Sequence, residues 1–357
     1  MVKKERIFTV KSKLRLGIIG AGRRVHDMYA PIFKFNSNIE ISGFWNRDIA
    51  KGQKLTDAFG YQRFNDIDNL SKNSDALMIV VNSSALTEVT MHCLDYGLPL
   101  MAETPVWSKD LVTKSNAKNI PLQIAEQTPW LPSEQFKMLL LQNTSTFGKP
   151  HTVVNDFRTF EYHGLAQLRR YIGYDKIPVD VCGMSHSFPM FPFKDGNGVD
   201  QIGHIENWDS GQIKFASGEL AIYNFSSLYN RCKYRNPCSL RIYTDRASIE
   251  NYDNDFTILH GVKDENGISH VKTEVTQIAS LSSKTKSITS DYATWVASTD
   301  YLTDQQEALK VLVDNFVDHV VTDGKQKLLY DVSQGWTDLN LLMAIRHSAA
   351  NKIYIRR

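Results

Sequence analysis

Residues 14–24 read LRLGIIGAGRR, and this stretch decides the fold. Leu14 to Ile19 is a short apolar run of buried-strand character, and Gly20-Ala21-Gly22 is a glycine turn. The segment Arg23 to Phe35 then places Met28, Ile32 and Phe33 at helical spacing. Strand, glycine turn and helix in direct succession mark a chain turning at the end of a parallel sheet. Pro31 falls inside the expected helix and is a local cost there.

The same alternation continues outward. Ile39 to Trp45 reads as a second strand, and Ile49 to Phe59 as a helix stopped by Gly60. ALMIVV, Ala76 to Val81, reads as a strand covered on both faces. Ala85 to Tyr96 is an expected helix ended by Gly97, and Leu98 to Ala102 and Leu122 to Ala125 are further strands. Alternation of this kind predicts a doubly wound parallel sheet. After about Trp130 the character changes. Helices are expected at Pro132 to Gln142 and at Leu165 to Ile172, the latter ended by Gly173. Strands follow at Gln212 to Ala216, Leu220 to Phe225, Ser239 to Thr244 and Ala247 to Tyr252, and they suit an antiparallel sheet. Gln306 to His319 and Ser333 to Ala349 read as closing helices, and Ser280 to Ser290 as an exposed loop. The expected class is α/β, with a doubly wound parallel domain over residues 1–127. An α+β domain with a large open, mainly antiparallel sheet is expected over residues 128–357.

Composition bounds the function. The chain has 357 residues with 41 basic and 39 acidic side chains, 42% hydrophobic and 22% charged. A net charge of +2 argues against a dedicated nucleic-acid binder. The longest clean apolar run is Ala76 to Val81, too short to span a bilayer, so no membrane association is expected. Met1 to Lys13 is basic but lacks the apolar core of a signal peptide. Cys93, Cys182, Cys232 and Cys238 show no CxxC spacing, which points to a reducing cytoplasm. His151, Asp156 and His163 have no characteristic metal-ligand spacing, and no metal is expected.

Glycine at positions 20 and 22, set after a buried strand, is expected to serve a dinucleotide, because a Cβ there blocks the turn and keeps a pyrophosphate off the helix N-terminus; the alternative is a doubly wound domain whose crevice has no nucleotide. The third position of the fingerprint is Val25. The end of the second strand usually carries an acid for a ribose 2′-hydroxyl. Here it carries Asn46 and Arg47, an amide and a guanidinium that suit a 2′-phosphate and favour NADP(H) over NAD(H). Arg23 and Arg24 add phosphate attraction, against the alternative of a solvated helix face.

GIIGAGRR (Gly17 to Arg24), ALMIVV, CLDYGLPLMAETP (Cys93 to Pro105) and YHGLAQLRRYIG (Tyr162 to Gly173) together resemble the Gfo/Idh/MocA oxidoreductases. The resemblance implies a Rossmann domain, a substrate domain with a large sheet, and a site between the two. It implies NAD(H) or NADP(H) chemistry on sugars, inositols or related polyols; some relatives reduce imines or biliverdin, and a few are regulators. The family's Glu-Lys-Pro is here Glu103-Thr104-Pro105, and threonine cannot replace lysine as a base near neutral pH. Glu103, Pro105 and Asn82 join the implied cofactor-binding set. The family's Asp-x-Gly-x-His becomes Thr159, Glu161 and His163. His163, with Tyr162, is the expected proton-handling group, and Thr104 is expected to hydrogen-bond the substrate. Glu126 and Arg169 are candidate substrate contacts, each with a structural alternative.

The function expected is an NAD(P)-dependent oxidoreductase acting on a small polar sugar, polyol, carbonyl or imine. The alternative is a catalytically silent dinucleotide- or sugar-sensing protein of the same fold, favoured by Thr104 and Thr159. A homodimer or homotetramer paired through the C-terminal sheet is expected. The segment Phe188 to Phe193 reads as a hydrophobic loop packed on its own domain, or else a cover for the substrate entrance or a neighbouring subunit.

Overall fold

The structure, a computed structural model, describes residues 13–157, 159–195, 197–228, 239–252, 255–267, 269–277, 286–353 and 355–356. Cys232, Cys238 and residues 280–285 of the expected loop lie outside the described residues. The chain forms two compact units, one of residues up to Gln127 with Leu302–Trp336, the other of Thr128–Tyr301 with Thr337–Arg357.

The first unit is built on a parallel sheet of five strands. These are β1 (Leu14–Ile19), β2 (Ile39–Trp45), β3 (Ala76–Ile79), β4 (Leu100–Ala102) and β5 (Leu122–Ile124), in the order β2-β1-β3-β4-β5. Every residue of β3, β4 and β5 is buried, as continuous apolar runs require of strands covered on both faces. Chain order reverses on either side of β1, so the sheet's switch point lies between β1 and β3.

The helix after the glycine turn contains a wide π turn at Val25–Tyr29, which runs directly into Ala30–Phe33. The Ala30 N–H donates to the Val25 carbonyl, five residues back. Pro31 has no N–H to give the Asp27 carbonyl; Gln306 Nε2 donates to it instead, at 2.8 Å. The cost expected of Pro31 is thus met by a wide turn and a side chain from far along the chain. Gln306 itself closes the capping box of the helix Asp304–Val321, with Thr303 as N-cap. The same return segment serves β5: Ile124 donates to the Tyr330 carbonyl at 2.9 Å, and Gln123 Nε2 to the Leu312 carbonyl at 2.5 Å.

In the second unit nine strands form one sheet. From edge to edge they are Ser269–Gln277, Asp255–Lys263, Ala247–Tyr252, Ser239–Thr244, Pro150–Asp156, Leu220–Ser226, Ile205–Phe215, Pro178–Pro189 and Ile355–Arg356. Only the pair Pro150–Asp156 with Leu220–Ser226 is parallel among these neighbours. Helix Tyr162–Ile172 begins three residues earlier than its apolar spacing suggested. Ser287–Thr289, expected in a loop, is a short strand paired with Thr294–Val296, because Ile288 is fully buried and its serine and threonine neighbours are not. The segment around Phe188 to Phe193 is only partly packed: Phe193 is buried, whereas Phe191 is 90% exposed.

Two glycines let the helix Val332–Asn351 lie close on this sheet. A Cβ on Gly183 would fall 2.1 Å from the Ile345 carbonyl oxygen, whereas one on Gly211 would meet the Ile345 Cδ1 at 2.6 Å. Backbone cannot yield as a side-chain tip can. Gly183→Ala is therefore expected to cost about 3 kcal/mol and Gly211→Ala about 1 kcal/mol. Chemical denaturation should also show that Ile345→Val, which removes Cδ1 but keeps the Cγ1 that the new Cβ would meet at 2.7 Å, relieves Gly211→Ala only in part and Gly183→Ala not at all.

Candidate functional site

The turn at the carboxyl end of β1 is shaped by close backbone approach. Gly20 has φ +119°, its N–H donates to the Trp45 carbonyl at 2.8 Å, and a Cβ there would lie 2.1 Å from the Val80 oxygen. Only glycine fits. Gly22 is different in kind: a Cβ on it would meet nothing within 4 Å. The space above Gly22 is open, and a side chain would fill it. Val25 is fully buried, accommodated by the π turn that begins with it. At the neighbouring strand ends, Asn82 is exposed at the start of helix Ser83–Cys93 and makes no side-chain cap. Asn46 donates to the Asp48 carbonyl at 2.7 Å, and Arg47 is exposed.

Glu103, at the end of β4, is buried and organises its surroundings. Its Oε1 accepts from Arg24 Nε at 2.5 Å and from the Tyr29 hydroxyl at 2.6 Å. Arg24 also donates through Nη2 to Gln127 Oε1 at 2.7 Å, and Gln127 donates to Gln305. Burial opposes the Arg24 charge, but Glu103 and Tyr29 together outweigh it and the guanidinium stays charged. Arg24 is thus turned toward the Glu103 loop, while Arg23 is almost fully exposed. Thr104 follows Glu103, half-buried, with Pro105 buried beside it. Glu126, just past β5, is 1% exposed. Tyr29 and Gln305 were not legible as members of this group, because the bonds that recruit them span long stretches of chain.

In the second unit, His163 stands in the first turn of helix Tyr162–Ile172, half-buried, its ring 4.2 Å from that of the buried Tyr162. The approach to this helix is strained: Phe157 has φ +55° and Glu161 has φ +35°. For residues with a Cβ, each such conformation costs on the order of 1–3 kcal/mol and tends to collect at functional sites. The backbone at position 161, where the resemblance implies glycine, has a glycine-like bend although the residue is glutamate. Arg346 Nη2 donates to Glu161 at 3.0 Å, and Arg346 Nε to Asp209 at 2.9 Å. Tyr223 lies beneath Gly164, where a Cβ would come within 2.9 Å of its ring, and its buried hydroxyl has no hydrogen-bond partner among the described residues. Burial, then Asp209, holds that phenol well above its usual pKa. Arg169 is 2% exposed, paired with Asp338 at 2.8 Å and donating to the Tyr174 carbonyl at 3.0 Å.

Asp156 pairs with Arg241 and accepts from Asn224. Among the described residues no three His, Cys, Asp or Glu side chains are grouped to hold a metal ion, and no helix is long and apolar enough to cross a membrane. Burial, then Asp95, pushes the Cys93 thiol up to about 12, so it is not a nucleophile near neutral pH.

Residues 14–120 match the profile of an oxidoreductase family described by its NAD-binding Rossmann fold, GFO_IDH_MocA. No curated protein matches the chain. Its fold is shared with solved structures of low identity. Levoglucosan dehydrogenase, in complex with NADH and levoglucosan, superposes with TM-score 0.70 at 14% identity, covering 96% of this chain and 99% of that one. An oxidoreductase from Agrobacterium radiobacter, in complex with NAD+, L-tartaric acid and magnesium, gives 0.69 at 16%, covering 96% and 98%. An inositol dehydrogenase homologue from Azotobacter vinelandii, complexed with NADH and myo-inositol, gives 0.66 at 12%, covering 97% and 98%. These likenesses establish a common architecture: a Rossmann-type parallel unit joined to a unit with a large, mainly antiparallel sheet.

Burial, then Glu103, holds the Tyr29 phenol well above its usual value. Its contribution to stability is complete below about pH 10, the ordinary tyrosine pKa, and is lost as pH rises through the folded value. Tyr29→Phe should lower stability at pH 7 by about 2 kcal/mol, the worth of a hydrogen bond to a charged acceptor. Urea unfolding at successive alkaline pH values should show a shallower decline in the variant.

Proposed function

We propose that the protein is a nicotinamide-dinucleotide-dependent oxidoreductase acting on a small polar substrate, a sugar, polyol or related carbonyl or imine. The observation that carries this reading is the glycine turn at the switch point of the parallel sheet. Gly20 is forced by the Val80 carbonyl, whereas Gly22 leaves open the volume a Cβ would fill. A pyrophosphate needs that backbone access. Gly20, Gly22 and Asn82 would hold the dinucleotide, with Glu103 and Pro105 shaping the loop beside it and Arg24 fixing that loop. When bound, the nicotinamide supplies or accepts the hydride.

The chain's own residues handle the rest. Reduction of a carbonyl places hydride on carbon and a proton on oxygen, and His163 is assigned to deliver that proton, with Tyr162 packed against its ring. Thr104 donates a hydrogen bond to the substrate, and Glu126 orients it. Arg169, engaged by Asp338, supports the helix that carries His163. A hydroxyl cannot take up a proton as lysine can, so Thr104 favours the reductive direction or an imine substrate. Asn46 and Arg47 carry no negative charge, which favours a 2′-phosphate and hence NADP(H), although the similar structures named above hold NAD+ or NADH.

We also assign the exposed sheet face to a second copy of this chain. Gly183 faces the helix Val332–Asn351, so Met184, His186 and Phe188 alternate toward the other side. Met184 is 62% exposed and Phe188 47%, an apolar face that pairing would bury.

Calorimetric titration with NADPH and NADH, followed by turnover on sugars, polyols and imines, tests the assignment. NADPH is expected to bind more tightly, and Arg47→Ala to remove about tenfold of that preference. His163→Ala should lower kcat by about 100-fold and leave cofactor affinity unchanged. Cofactor binding without turnover on any substrate would favour the sensing alternative. Binding of neither cofactor would sink the oxidoreductase reading.

A further inference from the structure

We propose that Arg346 is a positioning residue for His163, acting through Glu161; this rests on the reading of His163 as the proton-handling group. Glu161 ends the approach to helix Tyr162–Ile172 at φ +35° and ψ −124°, a bend that glycine adopts freely and glutamate does not. Something must therefore hold it. The Arg346 guanidinium reaches Glu161 Oε1 at 3.0 Å and Asp209 Oδ2 at 2.9 Å, bridging the start of the helix to the sheet. The far end of that bridge is firm: Asp209 is buried on the strand Ile205–Phe215, and its other oxygen accepts from Ser185 at 2.6 Å. The backbone that carries the bridging arginine is held as well, because Ile345, adjacent to Arg346, is seated on Gly183 and Gly211.

The clamp acts on the first turn directly. The Glu161 carbonyl accepts from the Gly164 N–H at 3.0 Å, and the Phe160 carbonyl from the His163 N–H at 3.1 Å. A change of φ at Glu161 swings both bonds and the imidazole two residues on. Tyr223 beneath Gly164 stops the turn from settling inward, so the free direction is outward, away from the sheet. Misplacement by an ångström is enough to cost proton transfer about 100-fold.

Glu161→Ala keeps the Cβ and loses the clamp, whereas Glu161→Gly loses the clamp and the strain together. Amide hydrogen exchange over residues 162–165 is the direct readout, with kcat and KM beside it. Glu161→Ala and Arg346→Met should each speed exchange there and lower kcat about tenfold, with KM for the nicotinamide cofactor unchanged. Glu161→Gly should leave exchange near that of the native chain, and Glu161→Gly with Arg346→Met should recover most of the kcat lost in Arg346→Met alone. Were Arg346→Met to fold poorly, Arg346→Lys, which keeps the charge without the fork, should show an intermediate effect. Equal losses in Glu161→Gly and Glu161→Ala, or unchanged exchange in the Arg346 variants, would overturn the proposal. Exchange requires no substrate, so it decides the clamp even if His163→Ala retains full kcat and the functional reading fails.

Discussion

No side chain fits between Gly20 and the carbonyl of Val80, and much of the first unit follows from that approach. It lets the chain leave β1 close against the end of β3 and start the next helix within a few residues. Because the chain goes from β1 to β2 on one side and then crosses to β3 on the other, the end of β1 borders the switch point of the sheet. The bend at Gly20 leaves Gly22 facing open space and starts the following helix at once, and the π turn at Val25 then absorbs both a bulky third fingerprint residue and Pro31. Glu103 comes to the same edge from β4. Held by Tyr29 and Arg24, it is tied to the helix that the glycine turn begins.

The second unit solves its packing in a related way, by removing side chains where helices meet the sheet. Gly183 and Gly211 admit the closing helix, and Gly164 admits the ring of Tyr223. Polar groups are linked here as they are around Glu103 in the first unit. Glu161, Arg346, Asp209 and Ser185 form a connected chain of charge-assisted bonds from helix to strand. Such a chain adds little stability where it is exposed, but it defines geometry.

Much of this was legible in sequence, and the exceptions share a cause. The strand at Leu14, the buried run at Ala76 and the helix stops at Gly60, Gly97 and Gly173 rest on local periodicity and local chemistry, which a single sequence carries. Thr104 and Glu161 were visible as departures from the pattern that the resemblance implies, but the left-handed backbone at Glu161 was not, because nothing local in the sequence asks a glutamate for it. The Arg24–Glu103 pair could not be read, since nothing local distinguishes an arginine bound for a phosphate from one bound for a carboxylate 79 positions away. The strand Ser287–Thr289 was missed for a similar reason: one buried isoleucine among hydroxyl residues is too weak a signal. The return of Leu302–Trp336 to the first unit left no trace in composition.

That return has a consequence for the order in which the molecule can be made. During synthesis the five strands of the first sheet emerge from the ribosome early, yet Asp27, Gln123 and Ile124 find their partners in Gln306, Leu312 and Tyr330. Until those residues appear, the segment ahead of Pro31 has an uncapped carbonyl and the last strand an unmet N–H. The intervening stretch, Thr128–Tyr301, is translated in the meantime. The unit that holds β1 to β5 is therefore not finished until Leu302–Trp336 has been made, and the nascent chain must carry it unfinished while most of the large sheet is laid down.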